Sequence, residues 1–187
     1  MARKKEIPDT RLLKAAREVF VEKGLGAPAR EIARRAKVSE GLLFQRYRTK
    51  AELFFAAMSP PEAGLEKLLG KAARRTEFPA QLRRVSMALL DYFRAALPVL
   101  VPLMSHPDFQ FEEFAERHPQ SGMVRLRGDM MEFFRVNQVE DAPAAALLVM
   151  SSMQGIAIFE KLGAHGGRMP QLFVDRTVEA LIRAVGR

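Results

Sequence analysis

The chain has 187 residues, a formal charge of +8 and an apolar fraction of 48%. That length suits one domain, or a small one joined to a medium one, and that apolar share is ample for a core. The absence of cysteine excludes disulfides and thiolate metal sites, and the basic start MARKKEIPDT has no apolar stretch behind it to make a signal peptide.

Helical periodicity runs through the chain and strand alternation is almost absent. Asp9 or Thr10 can cap a first helix whose inner stripe is Leu12, Ala16, Val19 and Phe20, with Gly24 ending it. Pro28 suits the first turn of a second helix. The stretch from Arg30 to Lys50, REIARRAKVSEGLLFQRYRTK, reads as that helix, a tight turn and a short third helix. Ile32, Ala33 and Ala36 give the second helix a small apolar face, and Ser39 supplies the oxygen that a helix start needs. Leu43 and Tyr47, four apart, share the inner face of the third helix, which leaves Leu42, Gln45 and Arg46 pointing elsewhere. Two helices crossing closely on small residues make a helix-turn-helix, whose second helix enters the DNA major groove.

Thr49 can cap a fourth helix entered by Lys50, with Leu53, Phe54 and Ala57 inward. Pro60-Pro61 interrupts it, and a further helix is expected from there to about Arg75. Pro79 opens a long helix to Leu97, and Pro98 to Pro107 is expected to be short or bent. Helices follow from Asp108 to about Arg117, about Pro119 to Asn137, Pro143 to about Leu162, and Pro170 to about Val185, with GAHGGR at 163–168 a flexible connection. The longest apolar runs, Ala95 to Met104 and Ala142 to Met150, fall short of the roughly 20 residues of a membrane span. The expectation is a soluble, cytoplasmic, all-α protein of nine or ten helices. A three-helix helix-turn-helix head covers 1–50 and a helical body covers 51–187, the body to which the family resemblance given below assigns ligand binding and dimerisation.

Charge agrees with this division. The first fifty residues hold fourteen Lys/Arg against six Asp/Glu, which accounts for the whole formal charge, and the remainder is neutral. A basic end on a neutral body points to a polyanion partner for that end alone.

Four signs in order resemble the TetR family of bacterial transcriptional regulators: AAREVFVEKG in the first helix, REIARRAKVS across the turn, GLLFQRY in the third helix and TKAEL at the entry to the fourth. The resemblance covers about a third of the chain. It implies a DNA-binding head, a helical ligand-binding body and a homodimer formed mainly by the last two helices. The chain departs from the family pattern at four points, five residues in all. Lys37 stands where the turn usually has Gly, Phe44 and Tyr47 exchange the usual Tyr and Phe, Pro28 replaces a Thr, and Leu42 replaces a small or polar residue. A non-Gly residue at positive φ carries about 1 kcal/mol of strain.

Gln45 and Arg46 are the candidate base readers, since Gln can pair with adenine and Arg with guanine through two bonds each; the alternative is phosphate contact only. Leu42 either meets a thymine methyl or packs at the turn. Ser39 is a cap that can also face phosphate, and Glu40 is tolerated only where it accepts from a cytosine amino group. Phe44 and Tyr47 flank this face. Lys50 and Arg30 are candidate phosphate clamps, with Arg3, Lys4 and Lys5 as an arm on the backbone.

After Ala51 the chain holds eleven of its thirteen Phe and nine of its ten Met. Most of these are core. Met tolerates irregular packing, and apolar cavities favour Met beside Phe. Met87, Phe93, Met104, Phe109, Phe114, Met123, Met130, Phe134, Met150 and Met153 are therefore candidates to line an effector pocket, with Phe111 and Phe133 in the same pool. Tyr92, His106, His118, Asn137 and Gln154 are the polar groups that can orient such a ligand. In the last two helices, Leu148, Ser152, Ile156 and Phe159 form one stripe, and Val178, Leu181 and Ile182 belong to another. Either stripe can bury against its own body or against a symmetry mate, and the resemblance favours the mate.

Catalysis is not expected. The three His, at 106, 118 and 165, lack metal-ligand spacing, and GAHGG follows a helix rather than a strand, so it is no nucleotide loop. No cofactor is called for. The expected function is a transcriptional regulator, a repressor released from a palindromic operator on double-stranded DNA by a small, mainly apolar ligand. The alternative is an architectural protein that binds DNA without sequence preference.

Overall fold

A computed structural model describes residues 9–60, 62–69 and 77–186. Among them all regular structure is helical. The elements are α1 (Asp9–Lys23), α2 (Ala29–Ala36), α3 (Glu40–Arg46), α4 (Lys50–Ala57), α5 (Leu65–Leu69), α6 (Phe78–Met104), α7 (Phe111–Arg117), α8 (Gly122–Val136), α9 (Ala142–Lys161) and α10 (Gln171–Val185), with a 3₁₀ turn at Ala164–Gly167. The helix expected to reach Arg75 is seen as far as Leu69. Its remainder, and the arm Arg3, Lys4 and Lys5, lie outside the described residues.

The chain divides into two compact units. One takes the described residues up to Pro60 together with Pro98–His118, and the other takes those of Pro61–Leu97 and Pro119 onward. This division differs from a cut at residue 50, because α4 packs on α1. Leu12, Ala16, Val19 and Phe20 of α1 are buried together with Leu53, Phe54 and Ala57 of α4, and the Phe20 and Phe54 rings meet edge-on at 5.1 Å. Arg17 closes the joint by donating from Nε to the Ala57 carbonyl at 2.7 Å and from Nη2 to that of Ser59 at 2.8 Å. Pro98–His118 belongs to this unit through His106, whose ring lies 5.0 Å from Phe54 and 4.7 Å from Phe55.

In the second unit α9 packs on α8 and α10, and α5 touches α8. The core is built from Leu126, Met130 and Phe134 of α8, Ala145, Val149, Met153 and Ile156 of α9, and Val174, Val178 and Leu181 of α10. Phe78 at the start of α6 stacks on Phe133 at 6.0 Å, and Arg83 pairs with Glu179 of α10.

Two expectations are corrected here. The segment from Pro98 is not bent away: α6 runs through Pro98 and Pro102 to Met104. Each internal proline costs a helix about 3 kcal/mol. Against this, Leu97, Val99, Leu100 and Leu103 are buried, and full burial of such side chains contributes about 1.5–3 kcal/mol each. The apolar runs judged too short for a membrane therefore lie in helices of 27 and 20 residues, α6 and α9, which are long and apolar enough by composition to cross one. Both turn a large apolar face into the fold, α6 through Leu82, Val85, Leu89 and Leu90, and α9 through Ala145, Val149, Met153 and Ile156. The connection at 163–168 is also a defined turn, held by left-handed backbone at Gly163, His165, Gly166 and Gly167.

Candidate nucleic-acid interface

The turn before α3 is set locally. Ile32, Ala33 and Ala36 bury the inner face of α2. Lys37 then takes left-handed backbone, φ 58° and ψ 45°, and the Val38 N–H donates back to the Ala33 carbonyl at 2.9 Å. This is the six-to-one closure of a Schellman motif, built on Lys where Gly is easier. Ser39 is extended, and its Oγ accepts from the Leu42 N–H at 3.2 Å, which caps α3. α4 starts the same way: Thr49 Oγ1 accepts from the Glu52 N–H at 3.0 Å, and the Glu52 carboxylate accepts from the Arg48 N–H at 2.9 Å.

These caps fix which face of α3 is available. Leu43 is fully buried, while Glu40, Phe44 and Gln45 are exposed and Leu42 is half-buried. Tyr47 is half-buried, and burial, followed by the charge of Asp9, raises its hydroxyl pKa. Arg46 is not simply presented to solvent, because its Nη1 donates to Asp9 Oδ1, at the start of α1, at 2.7 Å. Lys50 is half-buried at the first position of α4, behind the Thr49 cap.

Arg30 lies exposed at the rim of an open cleft of about 440 Å³, with Lys23, Pro28, Glu31 and Arg34. Charge pairs frame this region. Glu31 accepts from Lys23 at 2.6 Å, and Arg35 makes a two-bond pair with Glu22 at 2.6 and 2.8 Å. These pairs hold Glu22 and Glu31 below the usual carboxylate range. They also tie α2 to α1, so the positions of α2 and of the α3 that follows it are set by ionic as well as apolar contact. Sequence reasoning named neither Asp9 as the partner of Arg46 nor Arg34 as part of the cleft.

The candidate pocket residues are divided between the two units. Phe114 is buried, Phe109 is half-buried and Met104 is half exposed in the first, where Phe109 and Phe114 meet at 5.6 Å. In the second, Phe93, Met130, Phe134 and Met153 are buried, and Met87, Met123 and Met150 are half-buried. Of the polar candidates, Asn137 Nδ2 is satisfied by the Phe133 carbonyl at 2.8 Å, and His106 Nδ1 accepts from the Asp108 N–H at 3.1 Å. His118 stacks on Phe114 at 4.7 Å, and burial, with Arg117 nearby, lowers its pKa. Burial pushes the Tyr92 hydroxyl up to about 12. Sequence reasoning passed over Ser86 and Ser121, whose hydroxyls are buried with no partner among the described residues. No periodicity marks Ser86, since a serine on an inner helix face reads as a small core residue, and Ser121 precedes α8 without a side-chain capping bond.

The stripes on α9 and α10 are also sorted by burial. Ile156, Val178 and Leu181 face this chain's own core, and Ser152 and Ile182 are half-buried. Leu148 is exposed, and beside it Leu147, Phe159 and Leu162 are 69%, 58% and 76% exposed, with Leu172 and Phe173 exposed on α10. The outward apolar face is thus Leu147, Leu148, Phe159 and Leu162, one step round the helix from Ile156.

Residues 12–57 match the family model for bacterial regulatory proteins of the tetR family. No curated protein matches the chain. Solved structures share its fold across nearly the full length. Salmonella enterica GusR is 18% identical, covering 99% of this chain and 100% of that one with a TM-score of 0.69. The TetR-family transcriptional regulator PfmR from Thermus thermophilus is 19% identical, covering 95% and 100% with a TM-score of 0.64. The fatty acid degradation regulator FadR from Bacillus halodurans is 14% identical, covering 94% and 98% with a TM-score of 0.65. At these identities the likeness is one of fold.

Proposed function

We propose, from the tetR-family DNA-binding domain that residues 12–57 form, that this chain is a dimeric transcriptional repressor released from a palindromic operator by a small, mainly apolar ligand. The observation that carries the reading is the third helix: Leu43 anchors it, and Phe44 and Gln45 are left outside on a basic head. Gln45 and Arg46 read base edges, and Arg30 and Lys50 hold phosphates. A dimer places two such helices about 34–36 Å apart, one turn of duplex.

The outward face Leu147, Leu148, Phe159 and Leu162 supports the dimer, because exposed apolar side chains at helical spacing gain most from a matching copy. The effector is met by the Met and Phe of the second unit, where Ser86 offers one buried hydroxyl. Release is a population shift, in which DNA favours one spacing of the recognition helices and the ligand another. The coupling is reciprocal, so the effector binds the DNA complex more weakly than the free dimer. The protein acts where its DNA lies, in the cytoplasm.

Selection of tight-binding duplexes from a randomised library tests this reading. Enrichment of a two-fold symmetric sequence is the expected result. Equal retention of all sequences would instead identify an architectural DNA-binding protein.

A further inference from the structure

Arg46 and Asp9 are 37 residues apart in sequence and joined at 2.7 Å. Asp9 is the first described residue of α1 and its side chain is 65% exposed, whereas that of Arg46 is 21% exposed. The positive end of the α1 dipole favours a carboxylate there. The pair is therefore an acid, anchored on one helix, holding a cation on the helix that is to meet DNA.

We propose that Asp9 is a specificity-determining residue, which withholds Arg46 from the phosphate backbone and so weakens binding to arbitrary DNA more than binding to the operator. The inference rests on the reading of α3 as a DNA-recognition helix. A phosphate offers Arg46 much what Asp9 already offers, a charge-assisted bond to oxygen, so exchanging one for the other gains little. The exchange also leaves the Asp9 carboxylate uncompensated beside a polyanion. A guanine edge offers two fixed acceptors that match the guanidinium fork, and it carries no formal charge to repel Asp9. Non-specific affinity is almost wholly phosphate attraction, so a device that lowers the effective charge of one arginine acts mainly on that affinity. The same acid lies close enough to Tyr47 to raise its pKa, second only to burial, so its field covers the end of α3 as well as the Arg46 head group.

The test compares wild type with Asp9→Asn, using the duplex selected by wild type and a scrambled duplex of equal length, at two salt concentrations. Asp9→Ser is the second variant, which removes the same charge with a different side chain if the amide disturbs α1. Both variants should bind the scrambled duplex about fivefold more tightly at low salt, with a salt slope steeper by about one unit. Operator affinity should change less, so the ratio of the two affinities falls. With Arg46→Ala as background, the Asp9 substitution should no longer alter that ratio. Equal tightening on both duplexes, an effect that survives in Arg46→Ala, or a ratio that falls through loss of operator binding would each overturn the proposal. Failure of wild type to select any sequence is a separate outcome, and it would remove the regulator reading together with this inference.

Discussion

Arg94 of α6 and Glu160 of α9 form a two-bond ion pair, with Nε and Nη2 each donating to a carboxylate oxygen at 2.8 Å. Glu160 is buried and also accepts from the Met169 N–H at 2.8 Å, and Arg94 adds a bond to Asp91 at 2.9 Å. One carboxylate thus ties together α6, the end of α9 and the chain entering α10. The Arg94 bond, more than the Met169 bond, holds the Glu160 pKa below the usual carboxylate range despite its burial. A depressed carboxylate contributes stability that is present above its unfolded pKa and is lost as pH falls through the folded one. Unfolding by urea should therefore become easier as pH drops below about 4.5, the ordinary value for this group. Glu160→Gln should cost about 1–3 kcal/mol at neutral pH, since it leaves Arg94 without its strongest partner, and it should flatten that pH dependence. A variant as stable as wild type, with the same acid limb, would show that the pair is not a net stabiliser.

Lys37 is held at φ 58°, in a region that glycine enters freely and lysine does not. Lys37→Gly should stabilise the protein by up to about 1 kcal/mol, less whatever the freer unfolded chain takes back. For a chain of this length that is a rise in Tm of about 2–4 °C. Calorimetry of the two proteins decides, and an unchanged or lower Tm would mean that the strain is relieved elsewhere in the turn.

Ser86 is fully buried on α6, and its hydroxyl has no partner among the described residues. Ser86→Ala removes that unsatisfied group and replaces serine with a better helix former, so the ligand-free protein should gain up to about 1 kcal/mol. A measured loss of stability would show that the hydroxyl has a partner in solution, an ordered water among them.

Changing Leu148 and Phe159 together to Glu should yield monomers by light scattering with the helical signal intact, because both side chains are outside the chain's own core. Val178→Glu should instead unfold the chain, since it buries an unpaired carboxylate at a site with no solvent access. Monomeric wild type at micromolar concentration would remove the dimer proposal.

How much was legible from sequence follows from the range of each interaction. Ser39 and Thr49 act three residues from their own position, and both caps are legible from the sequence alone, whereas Lys37 is marked only by the resemblance, which has Gly at that turn. Asp9 with Arg46, and Arg94 with Glu160, are 37 and 66 residues apart, and no local pattern links them. Pro98 and Pro102 misled for the opposite reason. Their local cost is real, but the burial that offsets it depends on partners that a single segment does not display. Ile156 on α9, and Val178 and Leu181 on α10, belong to two stripes that are apolar at helical spacing. Periodicity tells that a face is buried, not whether the burying surface belongs to the same chain, and these three turn out to be buried by their own.

Base readout separates from phosphate holding in a measurable way. Gln45 is exposed, well round α3 from the buried Leu43, and Arg46 is the neighbouring donor held by Asp9. Gln45→Ala and Arg46→Ala should each relax preference at one operator position per half-site, by about 1–3 kcal/mol. Lys50 enters α4 behind the Thr49 cap and is proposed to hold a phosphate rather than a base. Lys50→Ala should weaken binding to all sequences alike and lower the salt slope by about one unit. Binding across a randomised operator library at two salt concentrations reads both effects together. If the Gln45 and Arg46 variants keep the wild-type sequence profile, specificity comes from other side chains or from the deformability of the duplex, and α3 serves only to seat the head in the groove.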